Sequence, residues 1–133
     1  QVLIIQSDVL IDQGKFDIAN KNLQKVKKYS DMFDIPIMNA RIAFSYARVM
    51  YGKGELSDVI DYIDESIEIF QDLDNKAQLA SLFIFKANVM MDQQKLKRVE
   101  NFLDKAKKYM KRLNDPSLDS NYKITLERYN SIN

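Results

Sequence analysis

Among its 133 residues the chain has no histidine, no cysteine and no tryptophan. Without cysteine there is neither a disulfide framework nor a thiolate nucleophile. Without histidine the Ser-His and Cys-His catalytic arrangements fall away, and the two absences together remove the usual zinc ligands. Glycine is scarce at 3 residues and proline at 2, so little in the chain breaks a helix. Neither sign of charge dominates: 20 Lys and Arg face 19 Asp and Glu, a formal net charge of +1. That balance gives no bulk attraction for nucleic acid. No apolar run approaches the roughly 20 residues that a membrane helix needs, and no secretory signal pattern opens the chain. The expectation is a chain with no cofactor, no membrane contact and no direct nucleic-acid contact.

What is present favours helices. Hydrophobic residues make up 46% of the chain, enough for the core of one domain. Ala, Leu, Ile, Lys, Gln, Glu and Asp dominate, a profile of all-α proteins. The chain opens at Gln1 inside an apolar helical pattern, and the reading is a fragment of a longer protein.

A shift of 40 residues lays the chain on itself. Ser7, Ala47 and Ala87 share a column, as do Leu10, Met50 and Met90, and Gly14, Gly54 and Gln94. Downstream, Phe16, Leu56 and Leu96 align, then Ala19, Val59 and Val99, then Leu23, Ile63 and Leu103. The columns of Tyr29 and Phe33 close the unit. Three copies in phase imply a stacked array of helical hairpins, because one hairpin cannot bury its apolar face alone. First helices are expected at 1–13, 37–52, 76–92 and 117–131, and second helices at 17–33, 57–73 and 97–113. The units are 1–36, 37–75 and 76–115, with a capping helix at 116–133, all in a single domain 1–133. Asp17 and Ser57 are expected to cap second helices, and Asp115-Pro116 to open the last helix. The small columns at Ser7 and Ala19 mark where the two helices of a hairpin approach closely.

Three local features invite chemistry. Gly52-Lys53-Gly54-Glu55 resembles part of a phosphate loop, but G-x-x-x-x-G-K-[ST] is not met and no strand precedes it. Its phase with Gly14 makes it a turn of the repeat. Asp58, Asp61, Asp64, Glu65 and Glu68 lie opposite Val59, Ile63, Ile67 and Phe70, so they read as a solvated face rather than an acid–base pair. The basic run from Lys105 to Arg112 lacks interleaved stacking aromatics except Tyr109, whose column marks it as core. The chain is therefore expected not to be an enzyme.

The succession Leu3, Ser7, Leu10, Gly14, Phe16, Ala19, Leu23, Val26, repeated as Phe83, Ala87, Met90, Leu96, Val99, Leu103, Ala106, resembles the tetratricopeptide repeat over residues 1–113. It departs in its 40-residue period, its missing tryptophan and its valines in place of alanine. The resemblance implies an all-α fold, a right-handed superhelical array of antiparallel helix hairpins, with first helices lining a concave groove. With the core columns excluded, the groove is expected to carry Arg41, Phe44, Arg48 and Tyr51 in the second unit, Ile84, Phe85, Asn88 and Met91 in the third, and Arg128 in the capping helix. Arg48 suits a carboxylate in a bidentate pair, and Asn88 a peptide backbone, which needs both a donor and an acceptor. The rival placement has Ile4, Phe44 and Ile84 packing against neighbouring first helices.

The stretch DESIEIFQDLDNKAQLASLF resembles the repeats of Gram-positive peptide-sensing regulators of the Rap and PlcR type. That resemblance implies a cytoplasmic, peptide-binding sensor within a larger transcriptional regulator. The alternative is a scaffold subunit that joins a multiprotein complex through its hairpins, with homodimer formation through the capping helix as one form of it.

Overall fold

The computed structural model describes residues 2–132. Among these residues seven α-helices follow one another: α1 Val2–Asp12, α2 Phe16–Phe33, α3 Pro36–Gly52, α4 Val59–Asp72, α5 Lys76–Asp92, α6 Val99–Met110 and α7 Pro116–Ile132. A short 3-10 helix, Leu96–Arg98, leads into α6. No strand occurs among the described residues. The first-series helices α1, α3, α5 and α7 and the second-series helices α2, α4 and α6 fall where the 40-residue period puts them. The all-α expectation holds.

The chain divides after Leu73 into two compact units. In the first, α1 packs on α2 and α3, α2 on α3, and α3 on α4. Its core gathers Ile4, Ile11, Leu23, Val26, Met38, Ile42 and Val49. In the second, α5 packs on α6 and α7, and α6 on α7. There Phe83 stacks on Phe102 and Tyr109, with ring centroids 6.2 and 5.9 Å apart. The ammonium of Lys86 lies 4.7 Å from the Phe102 centroid, and aromatic faces attract cations at such range.

The small columns behave as their spacing requires. Ser7, Ala47 and Ala87 are wholly buried, and so are their partners Ala19, Val59 and Val99. A larger side chain at either column would push the helices of a hairpin apart. Ser7 Oγ donates to the Leu3 carbonyl at 2.7 Å, which satisfies the one hydroxyl in that column.

The turns explain the glycine column. Gly14 and Gly54 have φ of +74° and +76°, the left-handed region that costs glycine nothing. Gln94, third in the column, adopts φ 60° without that exemption. Asp34 and Asp74, one period apart, also take positive φ, at 48° and 51°. In the third copy the left-handed residue is Arg112, φ 75°, because α6 ends at Met110.

Two expected caps are corrected. Asp17 lies inside the first turn of α2, where its charge suits the helix dipole, and the N-cap there is Lys15 without a side-chain bond. Ser57 lies in the turn ahead of α4, whose N-cap Asp58 also makes no side-chain cap bond. Asp115 does cap α7, accepting from the Leu118 amide at 3.1 Å. Asn75 caps α5 by accepting from the Gln78 amide at 3.2 Å, a signal the repeat columns did not flag.

Candidate functional site

Chemistry-bearing residues concentrate on the first-series helices. In the first unit, Arg48 on α3 reaches back to α1. Its guanidinium lies 3.3 Å from the Asp8 carboxylate and 2.5 Å from that of Asp12. Ser45 Oγ donates to the same Asp8 oxygen at 2.9 Å. One arginine and one hydroxyl of α3 thus hold two carboxylates that lie one turn apart on α1. Arg48 is partly sheltered, so these bonds are screened less than fully exposed pairs.

The second unit repeats this arrangement 80 residues later along the chain. Arg128 on α7 donates to Asn88 Oδ1 at 3.0 Å and pairs with the Asp92 carboxylate on α5. Asn88 Nδ2 donates to Thr125 Oγ1 at 2.9 Å and to the Ile84 carbonyl at 3.1 Å. Thr125 stands where Ser45 stands, Arg128 where Arg48 stands, and Asn88 and Asp92 where Asp8 and Asp12 stand. The clasp thus recurs once, at twice the 40-residue spacing.

The nine expected groove residues divide accordingly. Arg48, Asn88 and Arg128 are polar members of these clasps. Arg41, Phe44 and Tyr51 are half-buried on α3, and Phe85 is half-buried on α5. Ile84 and Met91 are buried, so the surface position expected for them is corrected to a packing one. Ile4 is buried too, in the core of the first unit beneath α3, as the rival placement had it.

Spacing did not reveal a polar cleft of about 90 Å³ in the first unit, lined by Lys27, Asp31, Asn39, Tyr46, Tyr62 and Glu65. The Tyr46 and Tyr62 rings lie 5.6 Å apart. Burial, with Tyr62 and Asp31 behind it, holds the Tyr46 hydroxyl above the ordinary phenol value of 10.0. Ser30 donates to Asn39 Oδ1 beside it. The only sequence signal for this cleft is tyrosine at position 46 beside the small column.

The five carboxylates of the acidic face, Asp58 to Glu68, are exposed, as expected of a solvated surface. Among the described residues no group of acidic, histidine or cysteine side chains is arranged to hold a metal ion. Nor is any helix long and apolar enough to cross a membrane. The family model described as the FAT domain matches residues 1–131. Neither a curated protein nor a solved structure matches the chain.

Proposed function

We propose that this chain, which belongs to the FAT domain family, serves as a non-catalytic scaffold whose helical hairpins are held in register so that their outer faces meet other proteins. Family membership supports a helical module for protein interaction. The observation that carries the scaffold reading is the pair of clasps. The side chains best suited to hold a ligand, Arg48, Asn88 and Arg128, already bind one first-series helix to another. A guanidinium held by two carboxylates must give up those bonds before it can take a peptide carboxylate, and that exchange weakens binding. A clasp that fixes helix against helix suits a protein whose task is to keep its faces in place.

The second reading is the sensor: a peptide-binding domain of a larger bacterial regulator, working in the cytoplasm. Arg41, Phe44 and Tyr51, half-buried on one helix, favour it, since aromatic and arginine side chains anchor many peptide contacts. Selection of random linear peptides on the immobilised chain separates the two. The scaffold reading expects no converging motif. A converged peptide that Phe44→Ala and Tyr51→Ala weaken, with the fold intact by circular dichroism, would establish the sensor in its place.

A further inference from the structure

In the first unit the second-series helices α2 and α4 each pack on α3 but make almost no contact with each other. The polar cleft lies between them. Lys27 and Asp31 line it from α2, Asn39 and Tyr46 from α3, and Tyr62 and Glu65 from α4. All three helices are internal to the chain, with α1 before them and further helices after, so the opening does not depend on where the sequence starts or stops.

Two groups of the cleft lack the partner that their chemistry calls for. Tyr46 is only 9% exposed, yet its hydroxyl makes no hydrogen bond among the described residues, although a buried tyrosine usually finds one. Besides burial, that hydroxyl feels Tyr62 and Asp31, so it faces the lining of the cleft. Glu65, on the same helix as Tyr62, has no ion-pair partner among the described residues. The other polar groups are engaged. Ser30 donates to Asn39 Oδ1, and the Lys27 ammonium lies 3.4 Å from the Asp31 carboxylate. Two carboxylates against one ammonium leave the lining one negative charge in excess.

The group that suits such a lining is a cation that donates hydrogen bonds and tolerates aromatic neighbours. A guanidinium does all of this: it is planar, meets a carboxylate with two N–H donors and lies well against tyrosine rings. An ammonium is more strongly hydrated and gains less from the rings. At about 90 Å³, the cleft is well below the roughly 300–1,000 Å³ of sites that enclose whole small molecules. It has room for one head group whose stem stays outside. Asp31 and Glu65 are exposed at its rim, within reach of another protein's surface, where arginine is a common anchor. We propose that the cleft seats the guanidinium of an arginine side chain carried by a partner protein, with Glu65 and Asp31 taking its charge and the Tyr46 hydroxyl accepting from one of its N–H groups. The partner rests on the scaffold reading. The preference for a guanidinium is measured on this chain alone, so each can fail without the other.

The test is a titration of the whole chain followed through the tyrosine ring resonances by nuclear magnetic resonance. The probes are Nα-acetyl-arginine amide, its lysine and citrulline counterparts, and free arginine. The arginine amide should shift the Tyr46 and Tyr62 rings together, with a Kd of about 1 mM, too weak for a peptide motif to converge on it. The lysine amide should bind at least about threefold more weakly, and the uncharged citrulline amide should not saturate. Glu65→Gln, at an exposed position, should keep the fold by circular dichroism and weaken the arginine amide at least about threefold. Tyr46→Phe, which keeps the ring, should weaken it too. No saturating shift, a citrulline amide that binds as well, or a Glu65→Gln chain with unchanged affinity would each overturn the proposal. So would free arginine that binds more tightly than the capped form, since the natural occupant would then be a free small molecule.

Discussion

Gly52 ends α3, and a β-carbon added there would lie 2.2 Å from Phe16 Cζ and 2.4 Å from Cε1. Carbon atoms in contact prefer about 3.5–4.0 Å. Gly52→Ala therefore forces the Phe16 ring, partly buried at the start of α2, to withdraw by more than about 1 Å from its packing place. Overpacking of this kind costs about 1–3 kcal/mol. Opposing it, alanine in place of glycine at a helical position gains about 0.4–1 kcal/mol, mostly from the unfolded chain. The clash wins, and the net result is a loss of about 1 kcal/mol. The sign should reverse in a Phe16→Leu background, where no side-chain atom reaches as far as the ring edge, leaving the gain of about 0.4–1 kcal/mol. Urea denaturation followed by circular dichroism of the four proteins in the cycle measures both steps. A stabilising Gly52→Ala in the wild-type background, or the same effect in both backgrounds, would refute the steric account.

Two further outcomes follow from particular residues. Gln94→Gly should stabilise the chain, because a side chain in the left-handed region costs about 1–2 kcal/mol and glycine at φ 60° avoids it. The same denaturation curves should shift to higher urea, whereas Gly14→Ala and Gly54→Ala should shift them lower. Tyr46, held protonated above 10.0 in the folded state, should make stability depend on pH in the alkaline range. Above that value the folded state keeps a proton that the unfolded state gives up, so stability falls as pH rises toward the folded pKa. Below it the contribution is fully present. Tyr46→Phe should flatten that fall, read as the difference between wild-type and variant denaturation midpoints from pH 9 to 11.

The repeat was legible because burial acts on columns. Ser7, Ala47 and Ala87, and Ala19, Val59 and Val99, are small for one physical reason, and all are buried. The turn column was legible through Gly14 and Gly54, and Gln94 followed by phase alone. The caps were less so: Asp17 and Ser57 have the right chemistry one or two residues from the place where the helix begins. The groove was read only in part. Excluding one set of core columns treats a first-series helix as having one buried side, but helices inside an array are buried on two. Ile84 and Met91 were misplaced for that reason. The clasps did leave a trace in the sequence, as an arginine standing 36 and 40 residues after an acceptor in two places. That trace is visible only once the helices are known to lie side by side.

The central claim is that the arginines of the first-series helices fasten helix to helix. Its most direct measurement is a double-mutant cycle of Arg48→Ala with Asp12→Ala, run beside Arg128→Ala with Asp92→Ala, with stability read by denaturation. Both pairs are partly exposed, so coupling of about 0.5–1 kcal/mol is predicted in each, falling as salt is raised. Zero coupling in both cycles, with the arginine variants as stable as the wild type, would contradict the account.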